Sequence, residues 1–367
     1  MNDQLNPEVS LVSLHQDMEL SAQLGKLRYI TDDTPGFTRK RRGKNFQYLD
    51  TKGAVIKDEK HLARIKSLVI PPAWQQVWIS PYANGHLQAT GRDIKGRKQY
   101  RYHSQWRAVR DEVKYEHMID FGLHLPMIRQ KVDEDLSKPG LSKDKVLATI
   151  IYLLENTMIR IGNDEYVKTN KSFGLTTLRN RHVEINGSVV KFKFRGKSKI
   201  EHDISLQDAR MARIIKRIMD IPGQELFQYI DSDGVRHPVS SSDVNAYLKQ
   251  ITGRDYTAKD FRTWSGTMHA TMALKALAPF ENITQAKKNI VLAIEAASKK
   301  LGNTPSICKK CYVHPFIIES YMAGAMFDLL ETNQELADDE AVLDYIEQYI
   351  LKLLQNRQAL NKQDLPI

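Results

Sequence analysis

Several stretches of the chain carry residue types found in nucleotide or metal sites, and each lacks a part that the chemistry needs. GRDIKGRK, from Gly91, opens with the spacing of a phosphate-binding loop but ends in Arg97-Lys98, where a lysine followed by Ser or Thr is required. RGKS has that ending, yet the position five before Gly196 is Lys191 rather than glycine. DSDG, from Asp231 to Gly234, lacks an EF-hand's later ligands and reads as a hairpin turn. No HExxH occurs. Cys308 and Cys311 are the only cysteines, in CKKCYVH; no second ligand pair stands at zinc-finger spacing, and Tyr312 occupies the place where a c-type haem site needs histidine. They read as two reduced thiols on a helix face, with a redox pair as the other option. Neither a cofactor nor a metal is expected.

What remains is a set of cations in the mainly helical part of the chain and one tyrosine. Arg160, in MIRIGNDEY, ends a strongly apolar helical stripe and is either a snorkelling surface residue or an inward-facing anion ligand. Lys197 caps a turn with cationic flanks, either a solvated hairpin tip or a probe that enters a groove. Arg262, in TAKDFRTW, begins a helix with apolar neighbours on both sides. Tyr312 sits between Lys309-Lys310 and His314-Pro315, where the proline breaks or restarts a helix. Taken singly, each is more often structural than functional. Their joint pattern carries the weight.

The elements that must position these residues change texture along the chain. Residues 1–20 read as a flexible tail. From 21 to 108, short β-prone pieces (FQYL, AVI, VWIS, HLQAT, QYRYH) are separated by Gly, Pro, Asp and Asn, which indicates a small, mostly β domain. From 109 to 325 the pattern is mainly helical. Leu147, Ile150, Ile151, Leu154, Met158 and Ile161 recur at three- and four-residue steps, with Ser142 placed as the cap. VEINGSVVKFKF is a hairpin turning at Asn186-Gly187, with Val190, Phe192 and Phe194 on its buried face. KIEHDISL follows as a further strand, and helices are expected over 242–251, 258–277 and 284–301, the first and last stopped by Gly253 and Gly302. Residues 326–367 read as an acidic helical tail packed on this body. The fold class is α+β: a small β-rich domain and a larger, mainly helical one with a short antiparallel sheet.

Charge narrows the function classes. The net charge is +10, but from residue 326 onward nine acids face three bases, a net of −6, which leaves +16 on the rest. A body this basic attracts a polyanion, and nucleic acid is the commonest one. No apolar run approaches the roughly 20 residues that span a bilayer. The N-terminus is acidic and lacks a basic segment followed by an apolar core, so a cytoplasmic protein without membrane contact is expected.

In order along the chain stand Arg160 in IRIGN, then FGLTTLRNRHV, Lys197 in FRGKSK, Arg262 in TAKDFRTW, LGNTP, and Tyr312 in SICKKCYVHP. This order resembles the type IB DNA topoisomerases of poxviruses and bacteria, and LQATGRDIKGRKQYRYH upstream is similar to the same family's N-terminal domain. The resemblance spans residues 27–320. It implies an enzyme that cuts one DNA strand with Tyr312, holds a 3′-phosphotyrosyl end and reseals it without ATP or metal. A tyrosine hydroxyl, with an ordinary pKa of about 10, attacks a phosphodiester poorly without help. The resemblance implies that Arg160 and Arg262 grip the non-bridging oxygens and that Lys197 protonates the departing 5′ oxygen.

Asn303 in LGNTP stands where many members have histidine; an amide still donates a hydrogen bond but carries no charge. After the first arginine, Asn163 and Glu165 replace lysines that a site-selective poxvirus enzyme sets on a DNA-facing helix, while Tyr166 matches. A poxvirus-like cleavage preference is therefore not expected. Lys98, Tyr100 and Tyr102 share one strand face, and the resemblance favours Gln99, Tyr100 and Tyr102 at the DNA. The run Arg39 to Lys44 is either a further DNA contact or a solvated loop. The expected partner is duplex DNA, held by one copy of the chain acting as a clamp in the nucleoid. Two rivals remain. Tyrosine recombinases share the nucleophile, but they usually carry His-x-x-Arg where this chain has Lys259-x-x-Arg262. A non-catalytic architectural DNA-binding protein explains the charge but not the order of the four residues.

Overall fold

The computed structural model describes residues 18–277, 280–326 and 339–363, with the side chains at 339–340 and 358–363 excepted. Of the tail expected over residues 1–20, residues 1–17 lie outside the described residues, as do the acids Asp328, Glu331, Glu335, Asp338 and Asp364, whereas residues 18–20 are helical. The chain divides into two compact units, Met1–His117 and Met118–Ile367.

The first unit holds α1 (Met18–Leu24), β1 (Phe37–Arg42), β2 (Asn45–Leu49), α2 (Glu59–Ser67), β3 (Gln75–Ile79), β4 (Leu87–Arg92) and β5 (Lys98–Tyr102). The strands form one antiparallel sheet in the order β2-β1-β3-β4-β5. Phe37, Ile65, Val77, Ile79 and Ala89 form the core between this sheet and α2, whose first turn is capped by the Asp58 carboxylate. Two details differ from the sequence expectation. AVI makes only an isolated bridge from Val55 to Leu49. Of the cationic run, Arg39 to Arg42 lie in β1 and only Gly43 and Lys44 in a turn, and Arg39 is committed to structure. That guanidinium donates to the carbonyls of Ile70, Pro71 and Trp74 and lies 4.2 Å over the Phe46 ring. Lys40, Arg41, Arg42 and Lys44 are exposed.

Helix α3 (Ser104–Ser137) starts in the first unit and ends in the second. The second unit continues with α4 (Lys143–Thr157), α5 (Asp164–Asn170), β6 (Val183–Asn186), β7 (Val189–Arg195), β8 (Glu201–Gln207), α6 (Ala209–Met219), β9 (Gln228–Ile230) and β10 (Arg236–Pro238). It then runs through α7 (Ser241–Thr252), α8 (Ala258–Ala276), α9 (Ile283–Leu301), α10 (Pro305–Cys311), α11 (Pro315–Met322) and α12 (Asp339–Gln363). β6, β7 and β8 form a three-stranded antiparallel sheet whose inner residues Val190, Phe192 and Phe194 are buried. β9 and β10 pair across the DSDG turn.

Helix α8 runs through the middle of this unit. Its Phe261, Trp264, Met268 and Leu274 are buried, and so are Thr263, Thr267 and Thr271, whose hydroxyls donate to carbonyls one turn back. Gly122 of α3 lets the Trp264 ring approach, because a Cβ there would stand 2.5 Å from it. The Trp264 indole N–H donates to Glu347 of α12 at 2.9 Å. Ile346, Ile350, Leu351 and Leu354 of α12 are buried in the same core.

Candidate active site

Arg262 sits in the second turn of α8, whose start is fixed by a capping box between Thr257 and Asp260. It is 3% exposed. One terminal nitrogen donates to the carbonyl of Met158, the residue that caps α4, and the other to that of Leu301, the last residue of α9, at 2.7 Å. Carbonyls at a helix C-terminus lack intrahelical partners and carry partial negative charge, so two helix ends hold one guanidinium. Burial pushes its pKa down, and the charge of Arg160 adds to this, but an arginine stays protonated. Its Nε is buried without a hydrogen-bond partner.

Arg160 follows α4 rather than ending it. Met158 takes a left-handed conformation (φ 55°), so the apolar stripe continues past the point where the helix stops. The strand-like segment after it docks on residues 174–176: Leu175 N donates to the Arg160 carbonyl at 2.8 Å and Thr176 N to that of Ile161 at 2.7 Å. A Cβ at Gly174 would stand 2.5 Å from the Arg160 carbonyl oxygen, so only glycine admits this approach. The Arg160 guanidinium donates to the side-chain oxygen of Asn303. Since a guanidinium can only donate, this bond fixes which way the amide faces, and the Asn303 Nδ2 donor is left buried without a partner. Asn303 itself is placed by the end of α9, where Gly302 turns left-handed (φ 58°) and Asn303 N donates to the Ser298 carbonyl at 3.0 Å.

Tyr312 caps the short helix α10 and is pinned to α8 one turn beyond Arg262. Thr267 Oγ1, whose single proton is shared between the Thr263 and Tyr312 carbonyls at 3.1 and 3.2 Å, accepts from His314 N at 3.0 Å. A Cβ at Gly266 would lie 2.7 Å from Tyr312 Cβ. Residues 262 and 266 are one turn apart and share a helix face, so the backbone contact brings the phenol beneath the arginine. The guanidinium carbon is 5.2 Å from the ring centre. Pro315 starts α11, which ends the local path of the chain. Cys308 is buried one turn before Tyr312, and burial pushes its thiol up to about 11, far from a reactive thiolate.

Arg160, Arg262, Asn303 and Tyr312 thus come together. Lys197 stands at the exposed β7–β8 turn, and among the described residues no hydrogen bond or ion pair reaches its ammonium. The turn is unusual, with Ser198 and Lys199 both left-handed (φ 63° and 64°). A residue with no motif signal also belongs here. Burial, and after it the charges of Arg160 and Arg262, push the His202 imidazole below the ordinary histidine range. Nothing in the sequence set this strand histidine apart from the others; nor did it show that Gly266 and Thr267 hold the nucleophile.

In the first unit, Tyr100 and Tyr102 stack on one face of β5 with ring centres 5.9 Å apart. Tyr100 is 46% exposed, whereas Tyr102 is half-buried among Trp106, Leu87 and Ile30. Lys98 pairs with Asp32 at 2.8 Å, and Gln99 donates to Asp93 at 3.2 Å. In the second unit, Tyr166 of α5 is 54% exposed. Asn163, where a lysine would stand in a site-selective enzyme, caps that helix by accepting from Tyr166 N. Among the described residues no group of three or more His, Cys, Asp or Glu is placed to hold a metal, and no helix is long and apolar enough to cross a membrane.

Comparison with known proteins agrees with this geometry. Residues 103–336 match the family described as eukaryotic DNA topoisomerase I, catalytic core, and residues 45–93 match the bacterial DNA topoisomerase IB N-terminal domain. The chain is 32% identical over 313 residues to DNA topoisomerase 1B of Acanthamoeba polyphaga mimivirus, covering 83% of this chain and 92% of that one. It is 28% identical to DNA topoisomerase 1B of vaccinia virus (strain Copenhagen), covering 83% and 88%. Arg160, the buried Arg262, Asn303 and Tyr312 lie within the matched catalytic core, and the chain belongs to the type IB DNA topoisomerases.

Proposed function

We propose that this enzyme relaxes supercoiled duplex DNA by cutting one strand with Tyr312 and resealing it, without ATP or a metal ion. The observation that supports this best is a pair of buried donors with no partner in the protein, Arg262 Nε and Asn303 Nδ2, in the cluster that holds Tyr312. Unpaired buried donors are costly unless an acceptor arrives, and a phosphodiester's non-bridging oxygens are such acceptors.

In cleavage the Tyr312 oxygen bonds to phosphorus and its proton passes to solvent. The bond to the 5′ oxygen breaks, the electron pair stays on that oxygen, and the Lys197 ammonium supplies its proton. Arg160, Arg262 and Asn303 hold the non-bridging oxygens as charge develops on them. Resealing is the reverse, with the 5′ hydroxyl as nucleophile and the Lys197 amine taking the proton back. The ester to tyrosine conserves the phosphodiester energy. Lys98, Gln99, Tyr100, Tyr102 and Tyr166 bind DNA outside the reacting phosphate, and one copy of the chain acts on each duplex.

Purified protein and supercoiled plasmid in EDTA without ATP test this. Relaxation in steps, of supercoils of either sign, is expected, and Tyr312→Phe abolishes it. A Tyr312→Phe enzyme that relaxes plasmid at the parental rate would overturn the site assignment. A requirement for paired specific sites would point to recombination instead.

A further inference from the structure

His202 takes no part in the chemistry just described, yet it touches both backbone segments that carry the outlying groups of the site. It pairs directly across the sheet with Phe194 and stacks on that ring, centres 4.9 Å apart and planes 15° from parallel. On one side it meets Gly196: a Cβ there would lie 2.5 Å from Nε2 and 2.6 Å from Cδ2. On the other it meets Gly302, where a Cβ would lie 3.0 Å from Cε1. The residue after Gly196 is Lys197, and the residue after Gly302 is Asn303.

Gly196 is informative because its backbone does not need glycine. Its φ of −96° and ψ of −163° are extended, open to any residue. What excludes a side chain there is the imidazole. The turn beyond it does need support, because Ser198 and Lys199 both sit in the left-handed region, which costs energy for non-glycine residues and persists only where surrounding contacts hold it. A ring kept uncharged beside Arg160 and Arg262 can fill this space without repelling them.

We propose that His202 is a positioning residue: seated on Phe194 and wedged between Gly196 and Gly302, it sets the Lys197 turn at a fixed place relative to the Asn303 segment. The proton donor is thereby aimed at the 5′ oxygen. This rests on the reading of Lys197 as that donor. A side chain that merely filled the core would affect folding and both halves of the reaction alike. A positioning residue for the proton donor affects only substrates that need the proton.

The experiment is single-turnover cleavage by the full chain of two duplexes that differ in one atom at the scissile bond. One has the ordinary 5′ bridging oxygen, and the other a 5′ bridging sulfur, which leaves without protonation. On the ordinary duplex, His202→Ala and Gly196→Ala are each expected to cut about 10- to 100-fold more slowly, the scale of a misplaced catalytic group. On the sulfur duplex both are expected to cut close to the parental rate. Gly196→Ala/His202→Ala is expected to be no slower than the worse single variant, because the methyl group then has no ring to displace.

Lys197→Ala, run alongside, separates the two ideas. If sulfur does not rescue it, Lys197 is not the proton donor, and the role of His202 falls with it. If Lys197→Ala is rescued but His202→Ala cuts the ordinary duplex at the parental rate, or is slowed equally on both duplexes, His202 does not position the donor. Additive losses in the double variant would likewise overturn the contact with Gly196.

Discussion

Asn303 shows how one side chain is given its chemistry by another. Its amide could present either a donor or an acceptor, and the bond from Arg160 to its oxygen leaves the donor for the substrate. Asn303→His, which can also donate, is therefore expected to cut DNA at near the parental rate. Asn303→Ala should cut on the order of 10²-fold more slowly, as when one transition-state donor is removed. Asn303→Asp should be slower still, since it offers only acceptors to an anion; single-turnover cleavage rates test all three. The sequence made Arg262 conspicuous as a cation among apolar neighbours, but not its partners. Those are carbonyls 104 and 39 residues away, and main-chain acceptors leave no trace in residue type. His86 gives a pH prediction. Its Nδ1 accepts from Ile30 N at 3.1 Å, the ring is 6% exposed, and burial pushes its pKa down. As pH falls below about 6.5 the unfolded chain takes up a proton that the folded ring refuses, so stability falls with pH. The buried His182 and the partly buried His202 and His269 are shifted the same way. The loss of melting temperature on acidification should therefore be smaller in His86→Gln than in the parent, and an equal loss would contradict the assignment.

At the scale of elements, the last helix is fastened to the catalytic helix by a charged node. Arg129 of α3 makes two bonds to Glu347, at 2.7 and 2.9 Å, and one to Glu155 at 2.7 Å, while Glu347 also accepts from Trp264, two residues from Arg262. Burial would lower the Arg129 pKa, but the hydrogen bond to Glu347 and the charges of both carboxylates raise it overall. Burial raises that of Glu155, with Arg129 opposing. Arg129→Ala leaves two carboxylates facing each other. A destabilisation of ~2 kcal/mol is expected, less than for a fully buried pair because 38% of the arginine side chain is exposed. Denaturant unfolding measures it, and an unchanged midpoint would show that α12 is not held by this node. Elements with local signals were legible: the Asn186-Gly187 hairpin, the Ser142 cap, and the stops at Gly253 and Gly302. Elements decided by distant contacts were not. β1 is a strand because it pairs with β2 and β3, despite its run of cations, and α4 ends at Met158 although its apolar period continues.

For the whole molecule, the controlling quantity is the separation of +16 on most of the chain from −6 beyond residue 325. Affinity built on phosphate contacts releases counterions and depends steeply on salt. If six or more phosphates are neutralised, binding to a plain duplex should weaken about a thousandfold between roughly 50 and 200 mM salt, and a flat dependence would remove the electrostatic account. Charge and composition foretold such a partner; only the folded second unit brings Arg160, Arg262, Asn303 and Tyr312 to one place. The most direct measurement of that convergence is to trap the enzyme with denaturant on a duplex that loses the piece bearing the new 5′ hydroxyl after cleavage, digest it, and map the attached nucleotide by mass spectrometry. The expected result is a single modified peptide, linked through Tyr312 to a 3′ phosphate. Attachment at another residue, or to a 5′ phosphate, would contradict the account.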